Sequence, residues 1–357
     1  MQQAQKTRDK VSMRQLAMIY IITGFSPAIR FLPAFTAQVA KEAGWISPVA
    51  ALIPIGLTVF FLHSVFSKTK DKSTFDIINS ILGKYVGNFI IALHLIWVLF
   101  LLGYYVRLHG ERLASTLFPN INMTLFIVII LSITSFILRS GATAIARMGE
   151  FITPILLLLF AFVTAFLLPN VRTDALLPVY FNDAIPIIKA SVGTLSLFSY
   201  AVIIFMFSTI ITSKEKTAII MIKAGSVYFL MLLLLLIISI GLLGSAVTAR
   251  ASNPFLIIVK QISILDTIEN ILLSDSMMIV TLALIALNIM KYLFKLSDQR
   301  NLINILLVFI YIFSLGIASN RFQMDLFASA IIIYLNTFIG YGTPALLYIV
   351  GKARKNL

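Results

Sequence analysis

Apolar stretches, each about long enough to cross a bilayer, follow one another along almost the whole chain, separated by short polar segments. A spanning helix needs about 20 mostly apolar residues. Gly44–Ser67, Tyr85–Val106, Phe151–Val171, Ala190–Ser213, Val227–Val247, Asn301–Asn320 and Leu326–Gly351 meet that demand, and Ile121–Leu138 falls slightly short. Two further candidates are bounded by charge: Gln15–Ile29 stops at Arg30, and Ser276–Met290 lies between Asp275 and Lys291. The pattern predicts an all-α polytopic membrane protein of about ten spans. An apolar stretch too short to cross, Phe255–Ile264, reads as a helix lying at the outer face, with Asp266, Glu269 and Asp275 behind it.

Composition agrees. Hydrophobic residues make up 60% of the 357 and charged ones 12%, about half the charged share of a soluble globule. No cleavable signal peptide is read at the start, because the first apolar run has no small-residue cleavage site and leads into more membrane. The net charge of +14 has a topological origin. Most of the basic residues fall in segments on one side, among them Lys6, Arg14, Lys68, Lys72, Lys84, Arg139, Arg147, Lys214, Lys291, Arg300 and Lys352. Lys and Arg excess marks the cytoplasmic side, so both termini are expected there, with the excess facing anionic headgroups of the lipid bilayer. A nucleic-acid partner is not expected. The absence of cysteine removes disulfides and thiolate chemistry, and three scattered histidines make no metal site. No Walker-type loop and no supported nucleophile–base arrangement is present, so neither an enzyme nor a cofactor is expected.

Ten spans divide into two sets of five, and an odd count forces the second set to enter from the opposite side. Transporters built this way hold ligand near the midplane, where corresponding helices are broken. The sequence offers such a pair. Span one carries Gly24, Phe25, Ser26, Pro27 and Ala28, with Pro33 further on; span six carries Pro186, Gly193, Thr194, Ser196, Phe198, Ser199 and Tyr200. Proline removes a helical hydrogen bond, and opened backbone at membrane depth is tolerated where it lines a cavity or is buried in protein.

At these residues the chain resembles a known family. Ser12-Met13-Arg14-Gln15-Leu16, Ala28-Ile29-Arg30-Phe31-Leu32-Pro33 and Gly44-Trp45-Ile46-Ser47 are similar to the first two helices of spore-germination receptor B subunits. These are permease-like members of the amino acid–polyamine–organocation superfamily. The similarity continues through Arg107 and Glu111, Ala144-Ile145-Ala146-Arg147-Met148-Gly149-Glu150, Leu176-Leu177-Pro178-Val179 and Ile262-Ser263-Ile264-Leu265-Asp266. It implies a LeuT-like five-plus-five inverted repeat, residues 12–168 and 184–350, with discontinuous helices one and six. It also implies a nutrient sensor (amino acid, sugar or nucleoside) acting with A and C subunits in the spore inner membrane. Ser26-Pro27-Ala28 departs from the family's usual Gly-Thr-Gly, and Arg30 stands at a position normally apolar.

Opened backbone around Ser26–Ala28 and Gly193–Thr194 is expected to hold the ligand. Ser196, Ser199, Tyr200 and Tyr104 would orient it, and Phe25 and Phe198 would close over an apolar part. Arg30 either binds an anionic group, to which the planar guanidinium is suited, or snorkels to the interface or pairs with an acid such as Asp183. Glu150 is a proton carrier or a structural carboxylate tying span five to a neighbour. The alternative function is a proton-coupled amino acid secondary transporter, and a scaffold with a vestigial cavity is a third reading.

Overall fold

The computed structural model describes residues 11–67, 73–116, 121–205, 217–260, 270–296 and 299–354. Its helices in chain order are α1 (Met13–Ala40), α2 (Ser47–Ser67), α3 (Thr74–Leu82), α4 (Lys84–Thr116), α5 (Met123–Arg139) and α6 (Ala142–Leu167). There follow α7 (Ala184–Phe198), α8 (Tyr200–Phe205), α9 (Thr217–Leu243), α10 (Ser245–Arg250) and α11 (Pro254–Lys260). The last are α12 (Asn270–Phe294), α13 (Gln299–Gly316), α14 (Arg321–Phe327) and α15 (Ile333–Ala353). Among the described residues, seven segments are long and apolar enough to cross a membrane. The first, Met13–Val65, contains both α1 and α2, and α5 and α13 supply two shorter apolar helices, which together account for the ten expected spans.

Local chemistry sets the helix ends. Ser12 caps α1: its hydroxyl accepts from the Gln15 amide, and Gln15 Oε1 accepts from the Ser12 amide, satisfying two donors that a helix start leaves open. Between α3 and α4 the chain turns at Gly83 with φ of 86°, which a side chain would resist. The short helix α3 buries Phe75, Ile78 and Ile81 on one face. It is held to α12 by the Tyr292 hydroxyl, which donates to Asp76 and accepts from Asn79.

The interior is organised around α1. Its residues from Ile19 to Ala28 are buried, and the helix as a whole packs among α6, α7, α9, α10 and α12. The periphery is the reverse: Ile53, Phe136, Phe151, Leu158 and Phe338 are each exposed by more than two thirds of their surface, between 72% and 75%. A belt of bare Ile, Leu and Phe around a buried polar interior is a lipid-facing surface.

The expected gap in span one is absent. α1 is helical from Met13 to Ala40 with Pro27 and Pro33 inside it. Each proline removes one amide donor, and the helix continues through both. Tyr228 of α9 donates to the Gly24 carbonyl at 2.7 Å. Span six is interrupted, at Ser199, which separates α7 from α8. The break therefore falls beyond Gly193 and Thr194. Two span limits also move. Arg30 does not end span one, and Asp275 lies inside α12 instead of flanking it. Of the short apolar helix expected over Phe255–Ile264, α11 covers Pro254–Lys260; the rest, with Asp266, Glu269 and the segment 262–266, lies outside the described residues.

Candidate functional site

The two charges that cut short the predicted spans face each other. Arg30 of α1 donates through Nη2 to Asp275 Oδ2 of α12 at 2.5 Å, and both residues are at least 93% buried. Two residues of α4 complete the cluster: Arg112 Nη1 donates to the same oxygen at 3.0 Å, and His109 Nδ1 lies 3.1 Å from it. The Ser26 hydroxyl donates to Oδ1. One carboxylate thus joins α1, α4 and α12 at a depth where an unpaired charge is costly. Asp183, the acid considered as partner for Arg30, instead accepts from the Tyr180 amide at a helix start.

Beside this cluster lies an open cavity of about 350 Å³, lined mainly by α1, α4, the end of α10 with the residues just after it, and the start of span ten. That size falls in the range of small-molecule sites, about 300–1,000 Å³. Its ionisable lining residues are Arg30, Arg250 and Asp325, with Tyr104, Tyr105, Gln38, Ser252 and Ser329 as further polar walls. Span ten reaches it through a π-helical turn, Ala328–Ile332, from which Ala328, Ser329 and Ile332 face the cavity. Such turns are frequent at functional sites.

A second polar network leads inward from the cavity wall. Tyr105 and Tyr200 share a hydrogen bond of 2.8 Å, linking α4 to the helix restart after the break. Deeper still, Trp97 Nε1 donates to Asn336 Oδ1 at 2.7 Å, and Asn336 Nδ2 donates to Ser196 Oγ at 3.2 Å. Ser199 donates back to the Ser196 carbonyl, which stabilises the interruption. At Gly340 of α15, an added Cβ would meet the Ser199 backbone at 3.0 Å, so glycine there permits the close approach.

Of the site residues expected from sequence, Pro27, Arg30 and Tyr104 line the cavity. Ser26 lies beside them, bound to Asp275. Ser196, Ser199 and Tyr200 join the inner network. Gly24 and Ala28 are packed inside the bundle, and Gly193 presses on Phe35 and Leu32. Thr194 is fully buried, and its hydroxyl has no hydrogen-bond partner among the described residues. Phe25 packs edge-on against Phe160, and Phe198 packs against Tyr228, so neither faces the cavity. Glu150 accepts from the Gln15 side chain at 3.0 Å and so ties α6 to the first turn of α1. Arg107 pairs with Glu111 at 2.8 Å along α4.

Sequence reasoning missed Asp275, His109 and Arg112 as site residues. The signal available was the three-residue spacing of His109 and Arg112, which puts both on one face of a helix. Among the described residues no group of His, Cys, Asp or Glu is arranged to hold a metal ion.

Segments that carried the resemblance are joined in space: Trp45 Nε1 donates to the Leu176 carbonyl, and the Gln15 side chain donates to Glu150. A family model described as spore germination protein matches residues 10–322. The chain belongs to the spore germination protein family. It is 22% identical over 178 residues to spore germination protein B2 of Bacillus subtilis (strain 168), a match covering 49% of this chain and 48% of that relative. Among solved structures, MhsT in complex with L-phenylalanine aligns with a TM-score of 0.70 at 12% identity, covering 93% of this chain and 89% of that one. Mhp1, a nucleobase-cation-symport-1 family transporter with bromovinylhydantoin bound, aligns at 0.60 and 18% identity, covering 96% and 77%. The fold is therefore the ten-helix, five-plus-five arrangement of LeuT-like transporters. The family and the structural neighbours are permeases and transporters, not enzymes.

Proposed function

We propose that this protein is the permease-like B subunit of a spore nutrient germinant receptor. A small nutrient, an amino acid or similar molecule, enters the cavity between α1, α4 and span ten. Tyr105 passes its presence to Tyr200 and the Ser199 break. The two five-helix repeats, residues 12–168 and 184–350, supply opposite walls, and partner A and C subunits read the resulting arrangement. Both termini face the cytoplasm, and the protein sits in the spore inner membrane.

The observation that carries this reading is the cavity itself. It is sized for a small molecule and joined through Tyr105 to an interrupted span of a chain in the germination family. A ligand moves a conformational equilibrium only through different affinities for the two states. A residue pair bridging the ligand wall and a helix break supplies a place for that difference to arise.

The test is equilibrium binding and uptake of a labelled nutrient panel by the purified protein in proteoliposomes. Saturable binding without accumulation is the expected result. Saturable accumulation would replace the receptor with a carrier, for which the transporter fold is equally suited. Absence of both would contradict a nutrient site formed by this chain alone.

A further inference from the structure

Asp275 is held by four side chains from two other helices. Oδ2 takes Arg30, Arg112 and His109, while Oδ1 takes Ser26. Among these four, Arg30 alone is a cavity-lining residue, and Asp275 itself is not one. Arg30 is 7% exposed, and its Nε has no hydrogen-bond partner among the described residues. Arg30 and Arg112, from two different helices, both donate to this one carboxylate.

We infer that Asp275 is a built-in substitute for the ligand's acid group: a carboxylate-bearing small molecule in the cavity takes Asp275's place on Arg30. This rests on the reading that a nutrient occupies the cavity. The exchange is feasible because it strands no charge. Arg30 gains the incoming carboxylate, whose planar oxygens match the guanidinium fork. Asp275 keeps Arg112, His109 and Ser26, and none of these has to leave its place to hold it. The ion pair joining α1 to α12 is thereby released while α4 stays joined to α12. Ligand chemistry becomes a change in which helices are tied together, and a neutral sugar or nucleoside has no means of making it.

Asp275 is then a competitor of the ligand, and Arg112 a helper that draws Asp275 away. Binding of L-amino acids, their amides, glucose and inosine is measured on the full chain in proteoliposomes, with size-exclusion profiles confirming each variant. An acid should bind and its amide bind less tightly. Asp275→Asn should tighten acid binding about fivefold or more, the lower end of common site-to-site coupling. Arg112→Gln, a change outside the cavity, should weaken it, because Asp275 then depends more on Arg30.

Equal binding of acid and amide, or binding of only glucose or inosine, would overturn the exchange and leave the nutrient sensor standing. Unchanged or weaker acid binding in a well-folded Asp275→Asn would also overturn it. So would an Arg112→Gln effect in the opposite direction, which serves if the Asp275 variant fails to fold. Binding of no compound would remove both the exchange and the sensor reading.

Discussion

Two polar networks cross the interior, and they hold helices together by different physics. The outer one is ionic and gathers α1, α4 and α12 around the single carboxylate of Asp275. The inner one is neutral and runs from Trp97 through Asn336 and Ser196 to the break at Ser199. Removing one side of a buried ion pair leaves a charge with nowhere to go, whereas removing a neutral partner leaves only an unmade hydrogen bond. The first network is therefore brittle and suited to discrimination by charge. The second is tolerant and suited to fixing the geometry of an interrupted helix.

The sharpest way to break this contrast is Asp275→Ala. It strips Arg30 and Arg112 of their common partner and should cost about 3–5 kcal/mol, read as a large fall in apparent melting temperature in detergent. A fall no larger than that of the neutral variants would show that the cluster is solvated. Adding Arg30→Gln to Asp275→Ala should recover part of the loss, since one of the stranded charges goes. A double variant less stable than the single would refute the charge explanation.

Asn336→Leu comes next, at about 1–3 kcal/mol, because Trp97 Nε1 and Ser196 Oγ lose their partner. The same change should weaken nutrient binding by loosening the Ser199 break. Smallest is Glu150→Gln. Its amide oxygen can still accept from Gln15, so a loss of about 0.5 kcal/mol or less is expected from exchanging a charged for a neutral acceptor. Abolished nutrient binding in a stable Glu150→Gln would give that carboxylate a functional part.

Hydropathy found the spans because lipid demands about 20 apolar residues from each helix regardless of its neighbours. It failed at span one and span eight for a shared reason. Arg30 and Asp275 each looked like a boundary when read alone, and each lies inside a helix because the other neutralises it. Pairing across 245 residues of sequence is invisible to a window that slides along the chain. The break in span six was legible from its hydroxyl-rich run, but its position was not. Glycine and proline mark where a helix is able to open, while Asn336 and Gly340, more than a hundred residues away, fix the interruption at Ser199. In span one the same residue types produced no gap: the helix runs unbroken through Pro27 and Pro33.

The claim that the cavity beside Arg30 is the ligand site is tested most directly by thiol protection. The natural chain has no cysteine, so Ala34→Cys on the cavity wall and Ile53→Cys on the lipid face each present a single thiol. Labelling rates with a water-soluble thiol reagent are compared with and without a saturating amount of the panel compound that binds. Slower labelling is expected at position 34, with no change at position 53. An unchanged rate at position 34 while the compound is bound would place the ligand elsewhere and contradict the account.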